Sequence, residues 1–168
     1  MIKFPSIEGF HNVVKMTSRY PELARRCIYR GKIKLDGANV GVKAGVAQSR
    51  NQILSLGDTN FGFWNFVEKN KDYFSKLDPE ITIFGEWCGP GIMKRTALQK
   101  IENKIFVVFA IFTYPIGEYH SIITEPKDIQ QILGDMPQDM YVLPWWGDSF
   151  AIEKKKKEML PAVVNSLN

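Results

Sequence analysis

"RGKIKLDGANVGVK", Arg30 to Lys43, alternates polar and apolar residues, pauses at Asp36-Gly37 and alternates again. A period of two marks a half-buried strand. Asp-Gly between two such runs is a strong hairpin signal, because both residues tolerate the backbone of a tight turn. As a strand, "KIKLDG" would turn Lys32, Lys34 and Asp36 to one face. Gly37 would let the backbone turn and let a ligand come close. "CIYRGKIKL" offers Ile28, Ile33 and Leu35 as inward candidates. "ANVGVK" leads to a second turn at Ala44-Gly45, and "VAQSRNQIL" follows as a third strand.

Helical spacing begins at "NFGFWNFVEKNKDYFSKL", where Phe63, Phe66, Val67, Asn70 and Phe74 share a face and Asp78-Pro79 closes the run. "ITIFGEWCG" and "KIFVVFAIFTY" are short, β-branched and aromatic, and read as buried strands. "PKDIQQILGDM" predicts a short helix from Pro126 to about Gly134. "MYVLPWWGD" reads as strand or loop, and "AIEKKKKEMLPAVVNSL" as a helix with a break at Pro161. The pattern is α+β with mostly antiparallel sheets and flanking helices. It lacks the regular βαβ alternation of a doubly wound fold.

The 168 residues suffice for one domain with a real core. No apolar stretch reaches the length of a bilayer span, and "MIKFPSIEGFHNVV" lacks the features of a signal peptide. The expected location is cytoplasmic, inside a host cell if the source is viral, with no membrane partner. Cys27 and Cys88 form neither a metal-like pair nor a disulfide framework. A net charge of +4 permits a polyanionic partner without demanding one. His11 and His120 are isolated, and no metal ligand is assigned.

Lys34 could be a nucleophile. A lysine attacks phosphorus only as the neutral amine, so a site using it must supply nearby cations or burial. Lys32 and Lys43 are candidate sources of positive potential, and Asp36 could orient the amine or a metal-bound water. A solvated lysine beside a hairpin explains the same residues more simply, so the stretch decides nothing alone.

Further segments follow in order: "AQSRNQI", "FGEWCGPGI" and "FVVFAIF". With "KLDGANVGV" they resemble the ATP-dependent RNA ligase family, on the branch of the phage and viral double-strand-nick ligases. The resemblance runs from about Ile28 to Phe112. It implies a nucleotidyltransferase (ATP-grasp-like ligase adenylation) domain that uses ATP and Mg2+. Its reaction joins 5′-phosphate and 3′-hydroxyl RNA ends through a covalent lysyl-AMP and an AMP-capped RNA.

The resemblance makes Lys34 the adenylated lysine, with Asp36 and Gly37 supporting it. Lys32, Ile33, Asn39, Arg50, Glu86 and Phe109 then bind nucleotide. Asn39 would lie near the phosphates, Arg50 near ribose and phosphate, and Glu86 at a ribose hydroxyl. Phe109 would stack on adenine, while Phe106 and Phe112 read as core. The glycines of "GEWCGPG" would leave room for a ligand, although Gly85, Gly89 and Gly91 also read as turn residues. Trp145-Trp146 carries no assignment.

Two later motifs of the family, a Glu-Gly strand and a Lys-x-Lys strand, are not found in the sequence. "EKKKKE" reads as a solvated helix face. Residues 1–168 are therefore expected to be one adenylyltransferase-type domain, its N-terminal portion, incomplete at the C-terminus. A second polypeptide carrying the missing motifs is an expected partner. Two alternatives stay open: a DNA ligase or mRNA-capping guanylyltransferase relative, and a non-catalytic nucleotide- or RNA-binding remnant.

Overall fold

The computed structural model describes residues 1–7, 9–20, 22, 26–94, 96–116 and 119–151. Its elements in chain order are α1 (Phe10–Arg19), β1 (Ile28–Gly31), β2 (Ala38–Lys43), β3 (Val46–Ser49), α2 (Phe63–Lys69), α3 (Lys71–Phe74), β4 (Thr82–Cys88), β5 (Ile105–Ile116), β6 (Tyr119–Ile123), α4 (Pro126–Leu133), β7 (Met140–Val142) and β8 (Trp146–Ala151). They divide into two compact units. One takes Met1–Phe4 and Ile33–Pro144; the other takes Pro5–Lys32 and Trp145–Asn168.

The first unit is built on a sheet of order β3-β2-β4-β5-β6, with β7 also beside β5. All pairings are antiparallel except β7 on β5. Central β4 is buried almost throughout, which is why "TIFGEWC" is apolar nearly without interruption. Val40, Val42, Ile83, Trp87, Phe106, Val108 and Ile111 point to one face. There they meet Phe63 and Val67 of α2, Phe74 of α3, and Ile129 and Leu133 of α4. Tyr73 donates to the Leu133 carbonyl at 2.8 Å and ties α3 to α4.

The helical run from Phe63 forms but divides at Asn70, whose side-chain amide donates back to the Phe66 carbonyl. Such local side-chain bonding competes with helix propagation. The helix from Pro126 starts and stops where its proline and glycine indicated. "MYVLPWWGD" resolves into β7 and the start of β8. Of the predicted helix over 151–167, Ala151 ends β8 and the rest lies outside the described residues.

The opening stretch departs from its reading. β1 pairs with β8, not with β2, so Asp36-Gly37 closes no hairpin. Residues 32–36 are not in a strand, and the common face expected for Lys32, Lys34 and Asp36 does not exist as such. Ile28 and Ile33 are exposed, at 74% and 44%, instead of inward. The Ala44-Gly45 hairpin forms as expected, while the third strand stops at Ser49.

The second unit pairs β1 with β8 in a two-stranded antiparallel ribbon. Phe10 of α1, Tyr29 of β1 and Phe150 of β8 pack as an aromatic trio, with ring centroids 6.0–6.3 Å apart.

Candidate functional site

Gly37 is the pivot of the site, for reasons of space. A Cβ there would lie 2.5 Å from the Trp87 carbonyl oxygen and 2.9 Å from both Cys88 Cβ and Glu86 Cγ. Only glycine lets the segment before β2 lie this close to β4. Its N–H donates to Glu86 Oε1 at 3.1 Å. This bond draws the end of "KLDG" onto Glu86, and the charges of Lys34 and Asp36 both act on that carboxylate.

Burial pushes the Glu86 carboxyl above its ordinary value. The Gly37 hydrogen bond and the Lys34 charge pull it down, and Asp36 pushes it up again. Lys34 and Asp36 are exposed. Cys88, buried beside this group, has its thiol pushed up to about 11 by burial and by the Glu86 charge.

Strand alternation sets the other members. Asn39 is the register partner of Glu86, so both point to the same face of the sheet. Phe109 and Leu35 both pack on the small cluster of Cys88, Val107 and Leu143. Leu35 thereby anchors the lysine segment on the cluster that also carries Phe109. Arg50 is exposed just after Ser49, whose partner is Val40. That places its backbone two strands from Glu86, about 10 Å at ordinary strand spacing.

Lys32 belongs to the second unit, where its ammonium lies 4.6 Å from the Trp145 ring centroid. Lys43, a suggested source of positive potential, pairs with Glu80 at 3.6 Å. It also lies four residues along β2 from Asn39, about 14 Å away.

Two of the glycines of "GEWCGPG", Gly85 and Gly89, are crowded by the protein itself. A Cβ on Gly85 would lie 2.5 Å from the Phe106 ring, on the core side. One on Gly89 would lie 2.8 Å from Lys104 Cα. Gly91 has a φ of +80°, a turn conformation that glycine adopts freely.

Two residues escaped the sequence reading. Gln48 is only 4% exposed, and its side chain both accepts from the Ile2 N–H and donates to the Ile2 carbonyl. The bound segment sets Phe4 against Phe84, Phe109 and Phe112, with ring centroids 5.0–5.5 Å apart. A lone aromatic before a proline gives no periodic signal. Only Gln48, a polar residue in an apolar strand pattern, hinted at a partner.

The family model for RNA ligase matches residues 30–161. Among solved structures, the chain is similar to a lysine-to-alanine variant of an RNA ligase from Naegleria gruberi, determined with ATP and manganese. The two share 18% identity and a TM-score of 0.52 over 79% of this chain and 41% of that one. At that identity the likeness establishes the nucleotidyltransferase fold alone, and the chain spans less than half of that ligase. No curated protein matches the sequence. With most of its length inside the family model and its sheet in the corresponding fold, the chain belongs to the RNA ligase family.

Proposed function

We propose that this chain is the nucleotide-activating portion of an ATP-dependent RNA ligase, with Lys34 as the residue that becomes adenylated. The observation that carries the reading is the Gly37–Glu86 hydrogen bond. It holds the lysine segment against a carboxylate on the sheet face that also presents Asn39. The Naegleria relative, determined with ATP, supports the choice of nucleotide.

Lys34, once deprotonated, forms a nitrogen–phosphorus bond to the α-phosphate as the bond to pyrophosphate breaks. Glu86 accepts a hydrogen bond from a ribose hydroxyl, and Phe109 offers a ring for the base, worth about 1–3 kcal/mol in comparable stacks. The AMP passes to a 5′-phosphate RNA end. A 3′-hydroxyl then attacks that phosphate, sealing the strand and releasing AMP. Phosphoryl transfer of this kind depends on positioning and charge neutralisation.

A divalent cation fits the site, because the Asp36 carboxylate lies close enough to Glu86 for its charge to disfavour that of the Glu86 carboxylate. Hard oxygen ligands of that kind suit Mg2+. When bound, such an ion neutralises phosphate oxygens. The family's Lys-x-Lys strand is not found in these residues. The proposal therefore includes a further segment, in cis or on a second polypeptide, that supplies the phosphate-binding lysines.

Intact-mass measurement after incubation with ATP and magnesium tests the reading. With the phosphate-binding segment supplied in cis or as a second polypeptide, the expected result is one added AMP, mapped to Lys34 and abolished by Lys34→Ala. An adduct retained by that variant, or mapped to Lys32, would overturn the assignment.

A further inference from the structure

Phe109, the ring read as a base platform, is not aimed by strand alternation alone. Phe84 pairs with Ala110 and Gly85 with Val108, so Phe109 is an extra residue of β5 with no register partner on β4. A β-bulge of this kind interrupts the ladder and re-aims a side chain. Val108 and Ile111 on either side of it both turn to the core under the helices. Phe109 packs instead beside Cys88 and Val107, and Val107 is the register partner of Glu86. The ring thus lies, half-buried, on the face of the sheet that carries Glu86.

A segment far away in sequence holds that ring. Phe4 meets Phe109 edge to face, with centroids 5.0 Å apart and planes at 80°. It also meets Phe84 at 5.4 Å and Phe112 at 5.5 Å. Two residues before it, the buried Gln48 side chain binds both the N–H and the carbonyl of Ile2. Gln48 pairs with Gly41 and Gly41 with Phe84, so the three form a row on the Glu86 face. A Cβ on Gly41 would lie 3.2 Å from the Gln48 amide nitrogen, so the glycine gives that amide its room. Met1–Phe4 belongs to the same compact unit as this sheet.

The direction of approach decides what Phe4 does. Phe84 stands two residues before Glu86, about 7 Å along β4. Phe112 lies further along in the same direction, opposite Thr82. Phe4 therefore reaches Phe109 from the end of the face away from Glu86. An edge-to-face pair supports a ring, whereas a base stacks parallel to it.

We propose that Phe4 is a positioning residue for the nucleobase. Carried on a segment that Gln48 fastens to the sheet, it holds the bulged Phe109 ring in the orientation on which a base stacks. The inference rests on the ligase reading of Phe109 and adds the residue that aims it.

The test is an NMR titration of the full chain with AMP and, separately, with ribose 5-phosphate, which has no base. Phe4→Ala should raise the Kd for AMP about tenfold, within the range of a lost base stack. It should leave the Kd for ribose 5-phosphate unchanged. Phe4→Tyr should restore AMP binding. Phe4→Leu keeps most of the buried apolar surface and should still weaken AMP binding about threefold, for want of the ring pair. Gln48→Leu, which unfastens Ile2, should act in the same direction and on AMP alone.

Tighter AMP binding by Phe4→Ala would overturn the proposal, because the ring would then occupy the place of the base. Equal losses for the two ligands would reduce Phe4 to a structural residue, and an unchanged Kd for AMP would leave it no role. A parent protein that binds no AMP removes the base site and the role of Phe4 with it. The Lys34 adduct separates this inference from the ligase reading. An adduct in the parent, with AMP binding indifferent to Phe4, removes the inference alone. AMP binding that depends on Phe4, without any adduct when the phosphate-binding segment is supplied, removes the ligase reading and leaves Phe4 as the support of a base-binding ring.

Discussion

Two influences act against the charge of Glu86, burial and the neighbouring Asp36. Its carboxyl is raised in the folded state, so the neutral form is the one that folding favours. The sign is the reverse of a salt-bridged carboxylate. Stability is greatest below the unfolded-state value and falls as pH rises through the raised folded-state value. Glu86→Gln, neutral at every pH, should melt at a higher temperature than the parent at neutral pH. That advantage should shrink to nothing as the pH drops below the ordinary carboxylate range. Adenylation should fall in the same variant. A melting difference that does not change with pH would contradict this account. Cys88 offers a second check at one residue. With its thiol pushed up to about 11 and no exposed surface, it should resist iodoacetamide near pH 8, while the partly exposed Cys27 is alkylated. Peptide mapping of the native protein distinguishes the two.

At the scale of elements, the stretch from Arg30 to Lys43 shows how strand alternation can leave the pairing of a segment undecided. Gly37 donates to Glu86, and the charges of Lys34 and Asp36 act on that carboxylate. All three lie in an irregular segment, because β1 finds its partner in β8 more than a hundred residues later. Alternation reports which residues share a side, not which strand pairs with which, and Asp-Gly looks the same in a hairpin and at a close approach to another strand. Gly85 was ambiguous for a related reason: a glycine in a strand marks a crowded backbone, and the sequence does not say whether ligand or core crowds it. The N-terminal segment was illegible, since its order depends on Gln48 and three phenylalanines from distant strands. Its contribution can be measured. Phe4 is half-buried, so Phe4→Ala should cost less than a full core truncation, about 1–2 kcal/mol. In a chain of this size that lowers Tm by about 3–8 °C. An unchanged Tm would mean that the ring contacts contribute nothing to stability.

Across the whole molecule, the first unit was the more legible. β4 and β5 announce themselves as apolar runs, and α2 and α4 as amphipathic spacings bounded by turn residues, because a six-stranded sheet covered by helices imposes those patterns. The second unit joins distant stretches of the chain, and the pairing of its ribbon has no local signature. The same contrast should govern stability within the protein. A two-stranded ribbon is marginal on its own, while central strands hydrogen-bonded on both sides open only with the sheet. Amides of Thr82–Cys88 and of their partners from Phe106 to Phe112 should exchange most slowly in native-state hydrogen exchange. Those of Ile28–Gly31 should exchange fastest among the strands, and added denaturant should release them well before β4. Equal protection of β1 and β4 across the denaturant series would show instead that the two units open as one, and that the aromatic trio of Phe10, Tyr29 and Phe150 stabilises the ribbon far beyond what two strands ordinarily hold.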